Sequence, residues 1–168
     1  MGGPTVPMLD AFIPEGALSP EAEKQLLSNL TDILLHHEGA DPSDPAARSI
    51  AWVFLHRPAY VFVAGELANE PRYRIIASVP EGQFDDGRRQ AIVAAVTEAV
   101  LDAEDGAHER NPMRVWVFAN EVPDGTWGGG GRIVTLADIV GFVTGDPEQG
   151  RQHAATRLAA RRDAAVSA

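Results

Sequence analysis

The chain has 168 residues, 45% of them hydrophobic, no cysteine and a net charge of −10. That length supports one substantial core. The lack of cysteine excludes disulfides, thiolate metal sites and a cysteine nucleophile, and the acidic balance argues against a nucleic-acid partner, which needs clustered Lys and Arg. No apolar run approaches the ~20 residues that span a bilayer. The N-terminus also lacks the basic, apolar, small-residue order of a signal peptide, so a cytoplasmic protein with no membrane partner is expected.

Residues 7–13 predict a strand that opens on Pro7, followed by a turn through Gly16. Ser19 is a good N-cap and Pro20 suits the first helical position. Leu26, Leu27, Leu30, Ile33 and Leu34 then share one helical face, and Gly39 can close the helix. A polar loop over 40–47 leads to a strand at 50–55, His56-Arg57-Pro58 and a short strand at 60–64. A polar linker, 65–71, separates this unit from the next. Residues 73–79 are a second opening strand, Asp85 caps a helix, and Ile92, Val93, Val96, Val100 and Leu101 form its apolar face. The closing strand is 115–119, and a turn with a glycine run around Trp127 follows over 123–131. A short strand at 133–135 and a helix at 136–143 complete the unit, and 148–168 reads as a helical or frayed tail peripheral to function.

The two halves are copies. Pro14-Glu15-Gly16 returns as Pro80-Glu81-Gly82, 66 positions on, and at that offset Leu26 meets Ile92, Leu30 meets Val96 and Glu38 meets Glu104. Trp52-Val53-Phe54 is answered by Trp116-Val117-Phe118 at an offset of 64. Each copy is a β-α-β unit whose right-handed crossover gives two parallel strands with a helix on one face. The expected fold is therefore α+β: a four-stranded mixed sheet with two helices on one face. Its organisation is an N-terminal extension (1–6), one domain of two units (7–65 and 72–146, within 7–146) and a C-terminal tail (147–168). The strands are apolar on nearly every residue, as when both faces are buried, so a second subunit is expected to cover the open face.

The chain resembles the tautomerase superfamily, the group of 4-oxalocrotonate tautomerase, cis-3-chloroacrylic acid dehalogenase and malonate semialdehyde decarboxylase. The resemblance rests on the strand-opening proline in Pro7-Met8-Leu9-Asp10-Ala11-Phe12-Ile13-Pro14-Glu15-Gly16, the fused repeat, His56-Arg57-Pro58, and Glu121-Val122-Pro123 with Trp127-Gly128-Gly129-Gly130-Gly131. It implies a homotrimer of fused subunits with active sites near subunit contacts, a small carboxylic acid substrate, and no metal or organic cofactor. It also implies that Pro7, as a free amino-terminal proline, is the catalytic group. The arginines that hold carboxylates in the superfamily are missing here from Val79-Pro80-Glu81-Gly82-Gln83, and Ala17 stands after the first turn. The tyrosine and glutamate of the dehalogenase-like pattern fall on Phe118 and Gly129, its helix histidine on Leu34, and the acidic residue of the decarboxylase-like pattern on Arg48.

A free proline amine in an apolar pocket has a lowered pKa, because burial disfavours its charged form. It can then move a proton between carbon and oxygen of a keto–enol pair, or, if protonated, act as an acid. Met1 to Val6 precede Pro7, so this chemistry needs Pro7 to become the first residue, as it would if Val6 were the true start and its methionine were trimmed. Arg57 is the candidate for orienting a carboxylate through two hydrogen bonds, with His56 beside it. Arg74, Phe118, Asn120, Trp127 and Arg132 are candidate substrate-binding residues. Adjacent His36 and His37 point about 100° apart on a helix, which disfavours a metal site. The glycine run lacks the lysine and helix of a phosphate loop. The alternative is an oligomeric binding or structural protein on the same fold, with Pro7 blocked by the extension.

Overall fold

The computed structural model describes residues 7–167, so the expected extension, 1–6, and Ala168 at the end of the tail lie outside the described residues. The first unit consists of strand β1 (Met8–Phe12), helix α1 (Pro20–Glu38), a short helix α2 (Pro45–Ser49) and strand β2 (Trp52–His56). The hairpin β3 (Phe62–Val63) and β4 (Glu66–Leu67) follows. The second unit has strand β5 (Tyr73–Pro80), helix α3 (Asp86–Ala103), a 3-10 turn (Pro112–Arg114), strand β6 (Val115–Val122) and the hairpin β7 (Gly128–Gly129) and β8 (Arg132–Ile133). Helices α4 (Leu136–Thr144) and α5 (Pro147–Val166) complete the fold.

The helix ends form where local chemistry places them. The Ser19 hydroxyl accepts from the Ala22 N–H at 3.1 Å, and Gly39 closes α1 in the left-handed region at φ 85°. Asp85 caps α3 by accepting from the Arg88 N–H, and Thr135 with Asp138 makes a capping box on α4. Four segments differ from the sequence expectation. The polar loop 40–47 contains α2, which starts on the Asp44 cap and Pro45. The linker 65–71 holds β4, and the glycine run forms the β7–β8 hairpin. Strand β6 continues beyond residue 119 to Val122 because its parallel pairing with β5 extends to Pro80.

The strands form one mixed sheet in the order β2-β1-β5-β6. β1 and β2 are parallel, β5 and β6 are parallel, and β1 meets β5 antiparallel at the join between the units. On one face Leu9, Ala11, Ile13, Ile75, Ala77 and Val79 pack against Leu26, Leu30 and Leu34 of α1 and Ile92, Val96 and Val100 of α3. The other face carries Trp52, Phe54, Trp116 and Phe118, which are 58%, 46%, 61% and 43% exposed. Apolarity on both sides of the strands thus buries one side within the chain and leaves an aromatic surface on the other. Helix α5 packs along α4 through Leu136, Val140, Ala154 and Leu158.

Candidate active site

Pro7 is buried immediately before β1, and its carbonyl accepts a hydrogen bond from the Trp52 N–H at 3.2 Å. Since Met8 pairs with Ser78 and β5 runs antiparallel to β1, Pro7 stands at the end of the sheet where β5 and β6 finish. The turn beyond β5 is organised by Glu121 of β6. Its Oε1 accepts from the N–H groups of Gly82 at 2.9 Å and Phe84 at 3.0 Å, while Oε2 meets Arg89 at 2.7 Å and Arg161 at 3.3 Å. Arg161 belongs to α5, so the tail helix reaches the end of the sheet that Pro7 occupies.

The same helix presses on the turn. A Cβ at Gly82, whose φ is 89°, would stand 3.0 Å from the Cβ of Arg157. Gln83 beside it is fully buried, and neither amide atom has a hydrogen-bond partner among the described residues. Arg88 donates to the Gln83 carbonyl at 3.1 Å. Burial and then the nearby Arg88 push the Arg157 pKa down. His153, one turn earlier on α5, has a buried Nε2 with no hydrogen-bond partner among the described residues, and burial and then Arg157 lower its pKa. Arg88, Arg89, Arg157 and Arg161 therefore gather around one turn in a chain whose net charge is −10.

The candidate residues divide between the two ends of the sheet. Asn120 pairs with Ser78 near Pro7, and Trp127 and Arg132 lie on the β7–β8 segment that follows β6 from that end. Phe118 pairs with Ile76 in the middle of the open face. His56 and Arg74 flank Phe12 at the opposite end, with Arg57 just beyond. At a strand rise of about 3.3 Å per residue, the end of β1 is roughly 17 Å from Pro7. Within one chain Pro7, His56 and Arg57 are therefore not one catalytic set. Parallel pairing of β1 with β2 carries the His56-Arg57 segment to the far end. There Arg57 binds Glu23 at 2.5 Å, and His56 Nε2 meets Asp10 at 2.6 Å while its ring stacks on Phe12 at 4.2 Å.

The far end also holds a cavity of about 630 Å³, lined by Phe12, Phe62, Tyr73, Arg74, Met113 and Trp116 among others. The repeat puts Tyr73 here in the place that Pro7 has in the first unit. The Tyr73 hydroxyl donates to Glu104 at 2.8 Å, and burial and that contact push its pKa up. Among the described residues no group of His, Asp and Glu is arranged to hold a metal ion. Sequence reasoning missed Asp10, Glu121 as an organiser and the cations of α5. The spacing of His153, Arg157 and Arg161 at every fourth residue was the available signal for the last of these.

The family model described as tautomerase enzyme matches residues 75–137. No curated protein sequence matches the chain. Solved structures with the same fold include a fused 4-OT described as an asymmetric trimer, at 22% identity and TM-score 0.61, covering 75% of this chain and 94% of that one. N1, a member of the cis-3-chloroacrylic acid dehalogenase family, aligns at 17% identity and TM-score 0.62, covering 93% of this chain and 96% of its own. Macrophage migration inhibitory factor of Toxoplasma gondii aligns at 16% identity and TM-score 0.59, covering 76% and 99%. A tautomerase family segment thus spans the second unit from β5 to the start of α4, and the chain as a whole has the fold of fused-repeat tautomerase superfamily structures, two β-α-β units joined through antiparallel β1 and β5.

Proposed function

We propose that the chain is an enzyme for small keto and enol carboxylic acids, with Pro7 as its acid–base group and a homotrimer as its working form. The observation that carries this reading is the position of Pro7, buried at the end of the sheet where Arg88, Arg89, Arg157 and Arg161 collect. As the first residue of a mature chain, Pro7 is a secondary amine whose burial favours the neutral, basic form. It takes the proton from an enol oxygen and returns a proton to carbon, so the amine is regenerated and only the substrate is rearranged. The cations hold the carboxylate and oppose the negative charge that develops on the enolate. Arg88 and Arg157, on α3 and α5, supply this field where the turn itself carries Gln83. Arg57 serves a carboxylate at Pro7 only from a neighbouring subunit, and Asn120, Trp127 and Arg132 shape the pocket from the end of β6.

The test has two parts. The intact mass of protein from its native host is expected to correspond to a chain that starts at Pro7. On that chain, ketonisation of phenylenolpyruvate is expected to be measurable, and Pro7→Ala is expected to abolish it. A mature chain that keeps residues before Pro7, together with full rate in Pro7→Ala, sinks the reading and leaves an oligomeric binding protein on the same fold.

A further inference from the structure

The duplication leaves two counterparts of one strand end, and the chain has treated them differently. At the first, Pro7 is buried. At the second, Tyr73 is tied down by Glu104, and a cavity of about 630 Å³ opens between the β3–β4 hairpin and the starts of β5 and β6. That volume lies within the range of small-molecule sites, roughly 300–1,000 Å³. Its walls are apolar and aromatic, with exposed Phe62, Met113 and Trp116 facing half-buried Phe12.

Three arginines line the cavity, and they are not equivalent. Arg114 is committed to Glu104 through two bonds of 2.6 Å, and Arg72 donates to the carbonyls of Glu70 and Pro71. Arg74 has no hydrogen bond or ion pair among the described residues. Its guanidinium lies over the Phe12 ring at 4.0 Å, and that ring also stacks on His56, which Asp10 holds. Stacking on an aromatic face leaves the edge of a guanidinium free to donate. The site therefore offers a positioned, uncommitted fork in an aromatic pocket.

We propose that this cavity is a second ligand site, independent of Pro7, which takes a small aromatic carboxylate. The carboxylate meets the edge of Arg74, and the ring lies among Phe62, Met113 and Trp116. Tyr73 cannot replace the proline amine as a base, because its phenol is held protonated by burial and by Glu104. The site binds rather than transforms its ligand, and a molecule seated there bears on the sheet end through Phe12, His56 and Asp10.

The experiment is calorimetric titration of the full chain with 3-phenylpropanoate and with its neutral amide. A saturable, Arg74-dependent binding step of one molecule of the acid per chain is expected, separate from any carboxylate bound by the cations near Pro7, with the amide weaker at that step by tenfold or more. Arg74→Ala is expected to weaken the acid roughly tenfold to a hundredfold, the loss of a charge-assisted pair, without changing binding of the amide. Arg74→Lys recovers part of that loss. Pro7→Ala is expected to leave the Arg74-dependent step unchanged, which separates this site from the proposed reaction. Absence of saturable binding, equal affinity for acid and amide, or full acid affinity in an Arg74→Ala chain of wild-type oligomeric state each overturns the proposal.

Discussion

Arg114 is among the largest fully buried side chains, and its charge is answered within the same space. Its guanidinium grips Glu104 with Nη1 on Oε1 and Nη2 on Oε2, both at 2.6 Å, and Nη2 also reaches the Glu109 carbonyl at 2.8 Å. Burial alone would raise the Glu104 pKa, but hydrogen bonds from Arg114 and Tyr73 outweigh it and hold the carboxyl below its ordinary 4.5. Removing one partner strands the other, so Glu104→Gln is expected to cost about 3–5 kcal/mol of unfolding free energy. Tyr73→Phe removes one hydrogen bond and is expected to cost about 1–2 kcal/mol. A carboxyl with a depressed folded-state pKa stabilises fully above its unfolded value and loses that contribution as pH falls through the folded value. Denaturant titrations from neutral to acid pH are therefore expected to show a steeper loss in the wild type than in Glu104→Gln. Parallel curves of equal stability would remove this pair from the account.

At the scale of elements, α5 is held by a contact that admits no side chain. A Cβ on Gly150 would stand 2.3 Å from the Ala137 carbonyl oxygen and 2.7 Å from the Gly141 nitrogen, both backbone atoms of α4. Alanine is the better helix former by about 1 kcal/mol, yet the clash leaves it no place unless α5 moves away. Gly150→Ala is thus expected to lose about 1–3 kcal/mol and roughly 2–12 °C in Tm. The same variant is expected to lower turnover of a keto acid, because Arg157 and Arg161 arrive at the Glu121 turn on this helix. Hydrogen exchange along α5 separates the two effects. Unchanged protection and Tm would mean that α4 yields instead.

At the scale of the molecule, the open sheet face is the dominant unsatisfied surface. Trp52, Phe54, Trp116 and Phe118 lie across β2 and β6 on one side, with Met8, Asp10, Ile76 and Ser78 between them in register. An exposed face that carries this many large apolar side chains marks an interface. A homotrimer that buries the Trp52, Phe54 and Phe118 part of this face, and leaves the Arg74 cavity at its rim open, is expected, and the fused 4-OT of the same fold is described as a trimer. Sedimentation of the wild type is expected to give three times the chain mass. Trp52→Glu, which places a charge on that face away from the Arg74 cavity, is expected to give folded monomer. A stable wild-type monomer at micromolar concentration would leave the face to some other cover.

Much of this architecture is local and therefore legible in the residues themselves. Ser19-Pro20 and Asp85 announce helix starts because a cap acts within three residues. The tandem copies announce the two units, and alternating apolar positions announce strands that pack on α1 and α3. Strand pairing between the units is decided elsewhere, since residues far apart meet only when the chain closes. The antiparallel join of β1 and β5 sets Pro7 beside the end of β5, and parallel pairing of β1 with β2 sends His56 and Arg57 to the other end. No local pattern in 50–58 carries that information. The basic stripe of α5 is visible in sequence as His153, Arg157 and Arg161, but its meaning is not. Only docking on α4, through Gly150 and Gly141, brings it to Gly82 and Glu121. The sequence by itself determined the units, the caps and the proline. The tertiary structure decided which charges gather at that proline's end of the sheet, because packing between distant elements sets where side chains converge.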